Sequence, residues 1–313
     1  MPRHVSVLFV HGIGVDNPNY ADGMIKAIKK RLKKLGAYAH CVPAYWGGIV
    51  RTRQQVFFES AQSAAGLADT KSRRLALQGL GDAAAYQKTQ SRFDAPYYKI
   101  QECVRDTIKE LDAGDDPSRP LIVIGHSLGC HILSSFIWDV NNIKQYTAED
   151  LKNLDSKKDT PILRYHEKLA SYSPFRKLET LAGIVTMGSN MPLFTFTFEK
   201  KDVTPITKAR PGKSPAFPGR SLDATTAAKA QWLNYYSRND LLGYPLRPLY
   251  ALGEEEKILH DREVRSEGLL MSFAPSPINA FAAHTGYFRN GDVINGATGL
   301  IRDIITAGDG KAA

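Results

Sequence analysis

The feature that most constrains this chain is a serine between two glycines, placed directly after its most strand-like segment. The apolar, β-branched run Leu121–Ile124 leads straight into the pentapeptide GHSLG at residues 125–129. A helix is predicted to follow, from Leu128 to Val140. A strand that turns at once into a helix puts the residue between them, Ser127, on a tight bend. Glycines on both sides of that bend remove side chains that would collide with the neighbouring strand and helix.

Other short apolar runs alternate with helical patterns along the chain. Strands are predicted at residues 5–10, 40–46, 121–124, 181–187 and 231–236, with a weak last strand at 262–265. Helices are predicted from the loop after the first strand to about residue 35, and at 100–111, 128–140 and 293–305. This alternation predicts the α/β class, with a mostly parallel sheet and helices on both faces. Pro43 in the second run predicts an edge or bent strand.

The length and composition favour one large domain over residues 1–313, because 313 residues that are 43% hydrophobic can fill a single core. Residues 51–92 are rich in Ala, Gln, Arg and Ser and predict a helical cap insertion. Residues 141–178 are polar and lysine-rich and predict a surface insertion. No 20-residue segment is apolar enough to span a bilayer, and residues 5–10 do not form a leader peptide. We therefore expect a cytoplasmic protein without stable membrane insertion.

The net charge of +9 favours at most weak contact with anionic surfaces. The densest basic run, residues 29–34, lies opposite an apolar helical face and lacks the interleaved aromatics that stack on bases. We therefore expect no nucleic-acid partner. The sequence leaves the oligomeric state open.

Neither a metal nor a cofactor is predicted. The three cysteines, Cys41, Cys103 and Cys130, form no CxxC pair, which argues against a disulfide framework or a zinc site. Cys130 is expected to be a buried apolar residue in spite of its closeness to Ser127. HExxH and phosphate-loop motifs are missing, and Gly12 and Gly14 lack the third glycine of a dinucleotide fingerprint.

The pentapeptide in its strand–turn–helix context predicts a nucleophilic serine. The strained turn projects the hydroxyl of Ser127 above the sheet, and the first turn of the helix offers free N–H groups and a positive dipole end to an oxyanion. A serine hydroxyl needs a base, and the base is usually a histidine that a carboxylate orients.

These motifs resemble the α/β-hydrolase superfamily, especially its esterase and lipase branch. The resemblance rests on four stretches: VLFVHGIG at 7–14, GHSLG at 125–129, GCHILSSF at 129–136 and AHTGY at 283–287. The first looks like the family's strand ending in a His-Gly oxyanion loop, and the last like its late histidine. The chain departs from the family in the insertions at 51–92 and 141–178, and in lacking the two strands that precede the oxyanion strand.

The family's chain order of serine, acid and histidine selects the catalytic partners of Ser127. Of the downstream histidines His166, His260 and His284, the last is favoured because it lies in a loop beyond the last strand. For the acid, Asp240 is favoured because it follows the strand that ends at residue 236. Asp223 and Asp261 are the alternatives.

The oxyanion hole is expected to use two backbone N–H groups, those of Ile13 and Leu128. His11 is expected to brace the loop, and Gly14 to leave room for a substrate.

The predicted function is a serine hydrolase that cleaves small-molecule carboxylic esters of short or medium acyl chain through an acyl-enzyme. A thioesterase, an amidase or an acyltransferase could use the same triad, and a non-catalytic binding protein could use the same fold. Four apolar residues of the cap either line an acyl pocket or pack the cap onto the core: Phe57, Phe58, Leu67 and Leu75.

Overall fold

The structure is a computed structural model. It describes residues 4–87, 95–112, 116, 118–142, 172–196, 198–199, 203, 205–208, 215–250, 257–267 and 276–309. Most of the predicted surface insertion at 141–178 lies outside these residues.

Six parallel strands form one sheet in the order β2-β1-β3-β4-β5-β6. Their bounds are β1 (His4–Val10), β2 (Tyr38–Ala44), β3 (Leu121–His126), β4 (Leu181–Met187), β5 (Gln231–Tyr236) and β6 (Leu259–Glu263). All six predicted strands are present, and the weak last one begins three residues earlier than predicted. Pro43 lies in β2, which among the described strands pairs with β1 alone, so β2 is an edge strand, as the proline predicts.

Helices cover both faces of the sheet, which confirms the α/β class. They are α1 (Asp22–Lys33), α2 (Gly48–Ala65), α3 (Thr70–Ala85), α4 (Pro96–Leu111), α5 (Leu128–Asn142), α6 (Ala224–Ala227), α7 (Ser276–Thr285) and α8 (Gly291–Asp309). Within the described ranges, none of them is long and apolar enough to cross a lipid bilayer. Two helices, α2 and α3, occupy most of the segment 51–92, while residues 88–94 lie outside the described part.

Side-chain alternation along the strands divides the core into two apolar layers. In β1, Val7 and Phe9 belong to the layer that also contains the buried residues of α1 and α8. Leu8 and Val10 belong to the opposite layer, with those of α4 and α5. The central strands β3 and β4 are buried along their whole length, as their continuous apolar runs predict.

The strand order places a topological switch point between β1 and β3. The chain leaves β1 toward β2 on one side, then crosses back over the sheet to β3 on the other. The helix after β1, α1, and the helix before β3, α4, lie on opposite faces, so a crevice opens at the carboxyl ends of β1 and β3. The loop after β1 and Ser127 after β3 both lie at this crevice.

The layer under α8 should tolerate little loss of volume. Ile301 is 0% exposed and belongs to the apolar layer under α1 and α8. Ile301→Ala should lower the free energy of unfolding by about 2–5 kcal/mol, because it leaves a cavity that the sheet cannot close. Urea denaturation measures this loss. Thr306→Ala, at an exposed position of the same helix, is the control and should change the midpoint little.

Candidate active site

Ser127 occupies the bend between β3 and α5 in a strained backbone conformation. Its φ is +53°, in the left-handed region that non-glycine residues rarely adopt. Its N–H donates to the carbonyl of Met187 at 2.9 Å, and its own carbonyl accepts from Cys130 N–H at 2.9 Å. These bonds, together with the packing of β3 and α5, hold a conformation that costs on the order of 1–3 kcal/mol.

The two glycines of the pentapeptide allow this bend, as predicted. A Cβ on Gly129 would lie 2.3 Å from the carbonyl oxygen of Val10 at the end of β1. A Cβ on Gly125 would lie 3.0–3.1 Å from atoms of α5. The helix therefore starts in close contact with the neighbouring strand, and the serine stands at the meeting point of β1 and β3.

The structure brings together the three residues predicted for the triad. The Ser127 hydroxyl donates to Nε2 of His284 at 2.8 Å. Nδ1 of His284 donates to the two carboxylate oxygens of Asp240 at 2.9 and 3.0 Å. His284 comes from the last turn of α7 and Asp240 from the loop after β5, so residues far apart in sequence form one continuous hydrogen-bonded chain.

Asp240 is held in its ionised form by its hydrogen-bond donors. Burial raises the pKa of this carboxyl, but hydrogen bonds from His284, Leu242 N–H and Tyr287 lower it, and the net pKa is below the ordinary value. The Tyr287 hydroxyl donates to Oδ2 at 2.8 Å and Leu242 N–H donates to Oδ1 at 2.9 Å. A Cβ on Gly243 would lie 2.3 Å from the same Oδ2, so the loop leaves room for nothing larger than glycine there.

The alternative acids have structural roles instead. Asp223 caps α6 and accepts from Thr226 N–H at 3.0 Å. Asp261, on β6, accepts from the Asn234 amide at 2.7 Å and from Leu246 N–H at 2.8 Å.

The alternative bases are not part of the triad in the structure. His260 lies on the edge strand β6 and is only partly buried. In the described ranges, it makes no hydrogen bond to Ser127 or Asp240. His166 lies outside the described residues.

The predicted oxyanion donors lie on either side of the serine. Leu128 N–H is the first of α5, and Ile13 follows Gly12, which lies close to the serine: a Cβ on Gly12 would lie 2.5 Å from Ser127 Cβ. Within the described residues, neither the Ile13 nor the Leu128 N–H donates to a protein acceptor. The oxyanion role of these two N–H groups stays a prediction, since it requires donors without a protein acceptor.

His11 braces the loop after β1, as expected. Its Nδ1–H donates to the carbonyl of Gly12 at 2.8 Å, and its Nε2 accepts from Trp46 N–H at 3.1 Å. The Trp46 ring stacks on the imidazole at 4.6 Å. Burial lowers the pKa of His11 to about 4, so the ring is neutral and can both donate and accept.

Sequence reasoning missed His126, which joins the serine loop to the base. Its Nε2–H donates to the backbone carbonyl of His284 at 2.6 Å. Burial, with a smaller contribution from the neighbouring His284 ring, lowers the pKa of His126 to about 3 and keeps it neutral. The pentapeptide motif leaves this position free, so the motif gave no signal for it.

Tyr287 and Glu267 were also missed. The Tyr287 hydroxyl also accepts from Ser237 N–H at 2.9 Å, so it connects Asp240 to the start of the loop after β5. Glu267 accepts from the Asn239 amide at 2.8 Å and from the Ser237 hydroxyl at 3.1 Å. The position of Tyr287 only three residues after His284 is a usable local signal, whereas Glu267 has none.

A cavity of about 280 Å³ lies between the loop after β1 and the helices α2 and α3. Its lining is mostly polar and contains no member of the triad: Asp16, Tyr45, Arg51, Gln54, Gln55, Phe58, Arg74, Leu77 and Gln78. Of the four residues considered for an acyl pocket, Phe58 lines this cavity. Phe57 is 61% exposed and does not. Leu67 is half-buried and does not line the cavity. The side chain of Leu75 is not among the parts that the structure describes.

Cys130 is buried, as predicted, and burial raises the pKa of its thiol to about 12. It is therefore an unreactive neighbour of the serine. The part of the chain that the structure describes holds no group of three His, Cys, Asp or Glu residues placed to bind a metal ion.

No protein-family model, curated protein or solved structure matches this chain. The interpretation of the site therefore depends on its own geometry.

The buried neutral histidines should make the fold sensitive to mild acid. The pKa values of His11 and His126 are about 4 and about 3 in the folded state, against about 6.5 in an unfolded chain. Between these values the unfolded state binds protons that the folded state does not. The free energy of unfolding should thus rise from pH 4 to 6.5, by up to about 1.4 kcal/mol per pH unit for each histidine.

Chemical denaturation across this pH range measures the slope. His126→Gln keeps an N–H for the His284 carbonyl but does not titrate. It should therefore remove from the slope about the contribution of one histidine. His4→Gln, at an exposed position, is the matched control and should leave the slope unchanged. A slope that His126→Gln does not alter would contradict the assignment.

Proposed function

We propose that this protein is a serine hydrolase with an α/β-hydrolase fold, which cleaves small carboxylic esters through an acyl-enzyme on Ser127. The observation that carries the proposal is the unbroken chain of hydrogen bonds from Ser127 through His284 to Asp240. The parallel sheet, with its serine at the switch point between β1 and β3, supports the fold assignment.

In the first step, the serine oxygen attacks the ester carbonyl carbon while its proton passes to Nε2 of His284. The ionised Asp240 stabilises the resulting imidazolium through Nδ1–H. Its lowered pKa means that it stays charged and does not take the proton. The negative charge on the tetrahedral intermediate is bound by the N–H groups of Ile13 and Leu128.

The intermediate then breaks its bond to the leaving alcohol oxygen, which takes the proton from His284. In the second half of the reaction, water attacks the acyl carbon and gives its proton to the same nitrogen. The proton then returns to Ser127 Oγ as the carboxylic acid leaves. His126 holds His284, and Tyr287 holds Asp240, in position through both halves of the reaction.

The burial of the site favours discrete ester molecules. Ser127 is 0% exposed and the side chain of His284 only 10%, and this low exposure favours a small substrate molecule over a lipid surface. We therefore propose short or medium acyl chains. A p-nitrophenyl ester series, run beside a triolein emulsion, tests this; a maximum at long chains with a rate jump at an interface would contradict it.

The nucleophile is tested by covalent labelling. A fluorophosphonate should label the wild-type protein at Ser127, as peptide mass spectrometry can show. Ser127→Ala should abolish labelling and lower ester hydrolysis by about a thousandfold or more. Ser134→Ala, on the same helix, is the control and should keep both properties. A folded wild-type protein that neither reacts with the probe nor hydrolyses any ester would refute the proposal.

The base is tested by comparing two histidines. His284→Ala should reduce kcat almost as much as Ser127→Ala, because triad members act as a unit. His260→Ala should leave kcat within about threefold of wild type, as expected for a surface residue away from the chemistry. The opposite pattern would transfer the role of base to His260.

A further inference from the structure

We propose that Asp82, on α3, is a positioning residue that holds the loop after β1 in the geometry needed for oxyanion binding. This inference rests on the proposed function, since it concerns the donor Ile13. It gives α3, and α2 through its contact with Asp82, a role in catalysis.

Asp82 connects the loop to both helices through its two carboxylate oxygens. Oδ2 accepts from Gly14 N–H at 3.0 Å, and Oδ1 accepts from the Gln54 amide of α2 at 2.8 Å. Asp82 is 1% exposed, so these bonds are sheltered from water. Charge-assisted hydrogen bonds to a buried carboxylate are among the stronger ones in proteins.

The bond to Gly14 acts on the peptide next to the oxyanion donor. A peptide unit is planar, with its C=O and N–H pointing in opposite directions. His11 donates to the Gly12 carbonyl, which fixes the plane that carries Ile13 N–H and directs that N–H away from the imidazole. Asp82 fixes the following plane, which carries Gly14 N–H. Ile13 is thus held on both sides, by His11, which directly follows β1, and by Asp82 of α3.

Close packing of α3 on the loop brings the carboxylate within reach. A Cβ on Gly79 would lie 3.0 Å from the Ile13 side chain, so a larger residue there would press on it. A Cβ on Gly81 would lie 2.8 Å from the Gln54 amide. Two glycines, each one turn or less from Asp82, therefore let the helix approach both partners.

A purely structural role explains the arrangement less well. Burial raises the pKa of Asp82, in opposition to its hydrogen bonds and to nearby Arg51, so the fold bears a cost for keeping a carboxylate here. The bond to Gln54 would suffice to join α2 and α3. The hydrogen bond to Gly14, by contrast, connects α3 to the loop after β1, outside the helix pair.

The test separates transition-state binding from stability. Asp82→Ala should lower kcat by about 10- to 100-fold, less than complete loss of an oxyanion donor, with KM within about threefold. The affinity for a trifluoromethyl ketone, which forms a tetrahedral adduct on Ser127, should fall by the same factor as kcat/KM. Asp82→Asn keeps an acceptor for Gly14, and Gln54 can turn its amide to match it, so this variant should retain nearly full activity.

The matched control is Asp69→Ala, which removes the N-cap of the same helix, where Asp69 accepts from Ser72 N–H. It should lower Tm while leaving the affinity for the trifluoromethyl ketone unchanged. If Asp82→Ala does not fold, Asp82→Leu replaces it, since leucine fills the space without an acceptor.

A folded Asp82→Ala or Asp82→Leu protein with wild-type kcat and adduct affinity would overturn the proposal. An equal loss in Asp69→Ala would do so as well, because the effect would then come from helix stability. These outcomes are distinct from failure of the proposed function, in which the wild-type protein itself would show neither labelling nor hydrolysis.

Discussion

The left-handed backbone of Ser127 is the constraint on which the rest of the site depends. It directs the buried serine hydroxyl toward Nε2 of His284 at the carboxyl ends of β1 and β3. This bend depends on Gly125 and Gly129, which let α5 start against the strands. The strain is balanced by hydrogen bonds at the bend and by the buried packing of β3 between β1 and β4. Every other site residue is placed relative to this fixed hydroxyl.

The triad is supported by neutral polar groups more than by charges. His11 and His126 are buried and uncharged, and each uses one ring nitrogen to hold a backbone carbonyl, that of Gly12 or that of His284. In the proposed mechanism, an ionised histidine at either position would place a second positive charge near the imidazolium of His284 and oppose its formation. Burial keeps these two rings neutral, as the proposed chemistry requires, at the expense of stability in acid.

The helices α2 and α3 differ from the connections usual in parallel sheets, because they reach back over the loop after β1. Their contact with that loop is polar at Asp82 and close-packed at Gly79. The nearby polar cavity is lined in part by Gln54, which also donates to Asp82, so the cavity borders this contact.

The sequence by itself determined the α/β class, the six strands and the bend at Ser127, because these depend on local periodicity and on a motif whose steric logic spans five residues. The choice of Asp240 and His284 needed the resemblance and the chain order, and their hydrogen bonds appear only in the folded chain. His126, Glu267 and Asp82 could not be found from the sequence. Their partners are 158, 30 and 68 residues away, and such contacts are decided by how the helices and loops pack on the sheet.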